Sequence, residues 1–173
     1  MGFDPDSDSY SLVDVLHIMV LRMVNRFTFH RNRSLVGGGM FIIGRELHFC
    51  YGHRLLGYEG KCRYLHGHNG RVILSLAGQD LDDKGMIVDF TQVKQVVGHW
   101  IDNHIDHRML LHRDDPALPY LQQLEEKVFV MDENPTAENI AKLIFNCAVQ
   151  KGFPIREVKF WETEYSFAIY RKE

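Results

Sequence analysis

The chain is poor in cysteine and has no concentrated block of either charge. Three cysteines, Cys50, Cys62 and Cys147, occur among 173 residues, an odd number without framework spacing. That argues against a secreted disulfide scaffold and suits a reducing cytoplasm. The net charge is −3 and no run of lysine or arginine stands out, which argues against a nucleic-acid surface. The apolar stretch YSLVDVLHIMVLRMV (10–24) is broken by Asp14, His17 and Arg22. It is shorter than the ~20 residues of a membrane span. The start MGFDPDSDS carries aspartates where a signal peptide carries positive charge. Solenoid-length repeats and low-complexity tracts are missing as well. What remains is an ordinary globular balance, 45% apolar and 25% charged, on a chain long enough for one domain with a proper core.

Residues 1–39 read as an extension: a disordered acidic start, a short amphipathic helix, and a hinge at Gly37-Gly38-Gly39. The domain proper is 40–173. From Phe41 the pattern has period two, with Phe41, Ile43, Leu47, Phe49, Tyr51 and then His53 on one face of a strand. Residues 54–65 read as a loop. RVILSLAG (71–78) is a second strand, and His66 and His68 share the parity of its Val72, Leu74 and Leu76. DLDDKG (80–85) reads as a turn, and the two strands are expected to pair as a hairpin around it or beyond it. The period then becomes helical over 89–101, with Asp89 and Gln92 placed as a capping box. A loop follows at 102–119 and a short strand at 127–131. PTAENIAKLIFNCAVQKG (135–152) is a helix with Thr136 at its N-cap and Gly152 as its stop. Strands at 155–163 and 166–171 finish the chain. Strands grouped at the ends with helices between them predict an α+β fold.

Chemistry-bearing residues gather in four places. His66-Gly67-His68 puts two imidazoles on one side of an extended segment, about 7 Å apart, within reach of one ion. His53 ends another inward face, either as a hydrogen-bonded core residue or as a third ligand. Three neutral imidazoles suit Zn²⁺ and leave a fourth position open. Cys62 would close that site as a fourth ligand, or act beside it as a nucleophile or base. Cys50 and Cys147 read as packing residues. Asp106 beside His107 can tune an imidazole for proton transfer, although such pairs in loops are often inert. Glu162 shares a face with Val158 and Phe160, so it is either a buried carboxylate awaiting N–H donors or a residue past the strand's end, in water.

Taken together and in order, GHRL (52–55), CRYLHGHN (62–69), GMIVDF (85–90), Asp106-His107, PTAENIA (135–141) and Glu162-Thr163 resemble the 6-pyruvoyl-tetrahydropterin synthase / 6-carboxytetrahydropterin synthase family. The likeness spans about residues 41–171. It implies the tunnelling fold: a four-stranded antiparallel sheet with two helices on one face, in ββααββ order, assembled into barrels as a homo-oligomer of hexamer type. By the same resemblance His53, His66 and His68 match the zinc ligands and Cys62 the catalytic cysteine. Asp106 and His107 match the proton-transfer pair, and Glu162 the carboxylate that anchors the pterin ring. The spacing of Cys62, His66 and His68 resembles the bacterial carboxytetrahydropterin enzymes of queuosine biosynthesis. Their substrate, 7,8-dihydroneopterin triphosphate, is thereby implied, with Arg54, Lys61 and Arg63 as candidates for its phosphates. The sequence departs from the family at Cys50, where a small residue is frequent, at Leu110-Leu111, and in carrying residues 1–39. The pyruvoyl sister enzyme, a closed structural zinc module and a non-catalytic pterin binder are the alternatives.

Overall fold

The computed structural model describes residues 39–172. The expected extension, with its disordered start and amphipathic helix, lies outside the described residues except for Gly39. Strand β1 (Phe41–His53) pairs antiparallel with β2 (His66–Gly78) over its whole length, from Phe41↔Gly78 to His53↔His66. The hairpin connection is therefore 54–65. The turn at 80–85 does not close it, contrary to expectation. There Asp82 Oδ1 accepts from the backbone N–H groups of Lys84 and Met86, both at 2.9 Å, and the chain runs on into a helix.

That helix is built of α1 (Phe90–Val93), a π-helical stretch (Lys94–Gly98) and α2 (His99–His104). Asp89 caps it by accepting from the Thr91 backbone N–H at 2.7 Å. A short α3 (Leu118–Gln123) follows, then α4 (Ala137–Gln150), where Thr136 Oγ1 accepts from the Asn139 N–H at 3.3 Å. Gly152, at φ 85°, takes the left-handed turn that ends the helix. β5 (Ile155–Trp161) and β6 (Phe167–Arg171) close the described chain.

With β3 (Arg108–His112) and β4 (Val128–Met131) the sheet has six strands, in the order β4-β3-β1-β2-β5-β6, not the expected four. The expected antiparallel set is present as β1, β2, β5 and β6. The correction lies at the other edge of β1. Part of the expected loop at 102–119 is β3 (Arg108–His112), parallel to β1, and β4 (Val128–Met131) adds parallel to β3. RMLLH is too short to show a period, and it meets β1 at only three register positions, Tyr51↔Arg108, Gly52↔Met109 and His53↔Leu110. Pairing supplied by the tertiary structure, not alternation, makes it a strand.

One face of the sheet carries the core. Leu47, Phe49 and Tyr51 of β1, Val72, Leu74 and Leu76 of β2, and Val158 and Phe160 of β5 are buried there. They pack with Val93, Val97 and Ile101 from the first helix and Ile140, Ala141, Ile144, Phe145 and Ala148 of α4. Both long helical segments thus cover the same face, as expected. Truncating a fully buried leucine such as Leu74 would cost about 2–5 kcal/mol. Among the described residues, no helix is long and apolar enough to cross a membrane.

Candidate metal centre

Strand pairing builds the site. His53 lies opposite His66 and Tyr51 opposite His68, so alternation brings all three imidazoles to the core face at one end of the hairpin. Their ring centroids are 4.5, 5.1 and 4.9 Å apart. His53 is 1% exposed. Its Nδ1 donates to the Pro135 carbonyl at 2.7 Å, and His66 Nδ1 donates to the Tyr64 carbonyl at 2.8 Å. A carbonyl cannot donate, so both Nδ1 atoms carry the proton and, in the neutral rings, both Nε2 atoms present lone pairs. These Nε2 atoms face each other at 3.0 Å. His68 Nε2 is buried without a hydrogen-bond partner. Burial pushes the His53 and His68 imidazoles below their ordinary value, which favours the neutral form.

Two facing Nε2 lone pairs beside a third, unpartnered Nε2 suit a divalent cation, and the ligating nitrogens lie within 4.8 Å of one another. The residues present fit a metal ion, with backbone carbonyls orienting two of the rings from behind. Cys62 falls outside that cluster. It sits on a 3₁₀ turn (Lys61–Arg63) and lines a cavity of about 270 Å³ together with His53, Thr136 and Glu162. The loop that carries it is tied down at both ends. Leu55 N–H donates to the Cys62 carbonyl at 2.8 Å, and Asn134 bonds both the N–H and the carbonyl of Leu56, at 2.8 and 2.9 Å.

Glu162 falls between its two expected alternatives: the strand has ended, but the side chain is largely shielded from water. β5 ends at Trp161, and the N–H groups of Glu162 and Thr163 fold back onto the Ser166 carbonyl. The carboxylate nevertheless points inward. Its Oε1 lies 3.3 Å from His53 Nε2, 3.7 Å from His68 Nε2 and 3.4 Å from the Tyr51 hydroxyl. Burial and the Glu162 charge push the Tyr51 hydroxyl pKa well up, so the phenol stays a donor.

Asp106 and His107 are elsewhere. Asp106 Oδ1 accepts from the Cys50 N–H and Oδ2 from His107 Nδ1, both at 2.8 Å, and the His107 N–H donates to the Cys50 carbonyl at 2.7 Å. The pair gathers with the Cys50 thiol, which donates to its cross-strand neighbour Asn69 at 3.1 Å. Cys50 and Asn69 are exposed and have the parity opposite to Tyr51 and His68, so this cluster occupies the far face of the hairpin. Cys50 is therefore exposed beside an acid–base pair and is not the packing residue expected; Cys147 is buried as expected. Arg54 is also committed elsewhere: its guanidinium forms two hydrogen bonds, at 2.8 and 2.6 Å, to Asp115, which is 2% exposed. Burial opposes the Asp115 charge, but those bonds hold its carboxyl below the ordinary value.

Sequence reasoning missed Tyr51, Pro135 and Asn134 as parts of this site. The parity of Tyr51 placed it inward, but a core tyrosine gave no further signal. Pro135 acts through its carbonyl, which no side-chain pattern reveals.

A family model described as 6-pyruvoyl tetrahydropterin synthase matches residues 42–173. The chain belongs to this family. Among its curated relatives is a 6-carboxy-5,6,7,8-tetrahydropterin synthase of Rickettsia felis, 37% identical over 132 residues, covering 71% of this chain and 94% of the relative. A protein of the same description from Haemophilus influenzae is 34% identical over 142 residues, covering 77% and 100%. Of the solved structures, an uncharacterised protein of Wolinella succinogenes has a TM-score of 0.66 at 28% identity, covering 78% of this chain and 99% of its own. The 6-pyruvoyl tetrahydropterin synthase of Caenorhabditis elegans has a TM-score of 0.60 at 21% identity, covering 80% and 100%, a likeness of fold. The tetrahydropterin synthase family membership and its α+β fold are thus as the sequence led one to expect.

Proposed function

We propose that this synthase is a zinc-dependent carbon–carbon lyase that converts 7,8-dihydroneopterin triphosphate to 6-carboxy-5,6,7,8-tetrahydropterin. One water is consumed, acetaldehyde and triphosphate are released, and the product feeds 7-deazapurine (queuosine) biosynthesis in the cytoplasm. The observation that carries the reading is the convergence of His53, His66 and His68, two with Nε2 lone pairs and the third with a buried, unpartnered Nε2. The names of the bacterial relatives favour the carboxy product over the pyruvoyl one.

Zn²⁺ bound there would act as a Lewis acid toward the side-chain hydroxyls, making neighbouring protons easier to remove. The other tasks belong to side chains. Glu162 accepts from the amino and ring N–H groups of the pterin and fixes the tail's direction. Cys62, in the cavity shared with His53 and Glu162, removes or returns a proton on one side of the tail. His107, oriented by Asp106, serves the other side. Within one chain that pair lies across the hairpin from the three imidazoles, so the reading requires a second copy to present it. This supports a homo-oligomer as the working form. With Arg54 held by Asp115, Lys61 and Arg63 beside Cys62 remain candidates for the triphosphate.

Incubating the zinc-loaded protein with 7,8-dihydroneopterin triphosphate and identifying every product by mass spectrometry tests the reading. Acetaldehyde with the carboxylated pterin is expected, and chelator should abolish both. Accumulation of 6-pyruvoyl-tetrahydropterin alone would assign the sister activity instead. Turnover that survives Cys62→Ala would remove that residue from the chemistry.

A further inference from the structure

The segment between β4 and α4 holds two parts of the site at once. The Pro135 carbonyl accepts from His53 Nδ1 at 2.7 Å. Its neighbour Asn134 reaches the other way. The Asn134 side chain accepts from the Leu56 N–H at 2.8 Å and donates to the Leu56 carbonyl at 2.9 Å. An amide that pairs with both the N–H and the carbonyl of one residue fixes that backbone as a strand partner would. From Leu56 the tie continues to the thiol, since the adjacent Leu55 donates its N–H to the Cys62 carbonyl at 2.8 Å. The segment is itself pinned. The Asn134 carbonyl accepts from the Thr136 N–H at 2.7 Å and from Asn139 Nδ2 at 2.9 Å.

The loop that carries Cys62 needs such a tie. Within residues 54–65 the turn Lys61–Arg63 is the one regular element. At the loop's ends Arg54 is held by Asp115, and the Tyr64 carbonyl accepts from His66. Among the described residues, the hydrogen bonds that join 55–63 to anything outside the loop are the two to Asn134. A long connection without ties samples many conformations. A reacting group misplaced by about 1 Å can cost about 10²-fold in rate.

We propose that Asn134 is a positioning residue for the Cys62 thiol, acting through Leu56 to set where that thiol stands relative to the three imidazoles. This rests on the reading of Cys62 as a proton carrier beside the metal site and deepens it. One short segment fixes His53 by a main-chain carbonyl and the Cys62 loop by a side chain, so ligand and thiol keep one spacing. The two ties are also separable. A change at the Asn134 side chain releases the loop and leaves the Pro135 carbonyl and the bonds to the Asn134 carbonyl in place. His53, Leu55, Cys62 and Thr136 line the same cavity of about 270 Å³, so a released loop moves one wall of the space beside the imidazoles.

The test uses the full zinc-loaded chain and 7,8-dihydroneopterin triphosphate. Asn134→Ala should lower kcat about 10²-fold, while KM and the Zn²⁺ affinity read by chelator competition stay within about two-fold. Asn134→Asp, which can accept from the Leu56 N–H but has no N–H for its carbonyl, should fall between Asn134→Ala and the wild type. In the metal-free protein, iodoacetamide should alkylate Cys62 several-fold faster in Asn134→Ala, followed by peptide mass spectrometry. Cys50, exposed on the far face, should react at its wild-type rate. Added to Cys62→Ala, Asn134→Ala should leave the residual turnover unchanged, because no thiol remains to be misplaced. An equal further loss in that background, or weakened zinc binding, would make Asn134 a support of the whole fold and overturn the proposal. Unchanged kcat with unchanged alkylation would overturn it as well. If Cys62→Ala turns over like the wild type, the reading of that thiol is wrong and this proposal falls with it. If Cys62→Ala is impaired while both Asn134 variants are not, only the proposal falls.

Discussion

The two faces of the β1–β2 hairpin differ in what they do with the same residue types. On the core face, His53, His66 and His68 are drawn together at one end of the hairpin, with their protons committed to backbone carbonyls or their ring nitrogen left without a partner. On the far face, Cys50, Asp106 and His107 form a carboxylate–imidazole–thiol cluster whose histidine is 75% exposed. The first face gathers three imidazoles that suit an ion, and the second sets a carboxylate-paired imidazole against solvent. The pleat forbids one strand pair from turning both sets to one side. A reaction that needs both must bring the far face of one copy to the core face of another.

The largest expected effect tests that division. Cys62→Ala and His107→Ala should each lower turnover about 10²–10⁴-fold while keeping the metal. Coexpressed, the two inactive chains should regain activity, because a mixed assembly contains sites in which the intact Cys62 of one copy meets the intact His107 of the other. Activity that fails to return, although mixed assemblies are shown by mass spectrometry, breaks the comparison: the acid–base pair would then belong to its own chain's site.

A second way to sharpen it is to compare the exposed cluster of the far face with a buried ion pair. Arg54 follows His53 directly, and its partner Asp115 is buried. Breaking that pair with Asp115→Ala leaves the Arg54 guanidinium short of its partner. The expected cost is about 3 kcal/mol, read from denaturant unfolding. Cys50→Ser, exposed on the far face, should change stability by less than about 0.5 kcal/mol. Equal effects would mean that the exposed Cys50 is as much a part of the stable fold as the buried Asp115.

The parts of this arrangement that are local in the chain were legible in the sequence. Alternation alone put His53, His66 and His68 on inward faces, and the helical stripe of α4 matched its buried side. The parts that depend on tertiary pairing were not. β3 was hidden because RMLLH has no period of its own and becomes a strand only against Tyr51, Gly52 and His53. The hairpin connection was misassigned because 80–85 has the stronger turn residues, whereas 54–65 is held by Asn134 from far along the chain. Glu162 was ambiguous because a strand end and an inward carboxylate are compatible once the following turn bends the chain back. That Asp106 and His107 share a face with Cys50, not with Cys62, follows from the β1–β3 edge, which no local pattern announces.

The smallest effect separates the faces by pH. His53 and His68 are held neutral in the fold, each mainly by burial, with values below the ordinary 6.5. In the unfolded chain both protonate near 6.5, so below that pH the unfolded state binds more protons than the folded one. Stability of the metal-free protein should therefore fall as the pH drops through 6.5, and keep falling until the folded-state values are reached. The slope should approach ~1.4 kcal/mol per pH unit for each group. Metal should raise stability at neutral pH and make the decline steeper, because protons then also compete with the ion for the same lone pairs. His107→Gln, on the far face, should leave both curves in place, whereas His68→Gln should flatten that of the metal-free protein. A metal-free protein equally stable at pH 7.5 and 5.5 would show that the imidazoles are not kept neutral by burial, and that the two faces do not differ as their geometry requires.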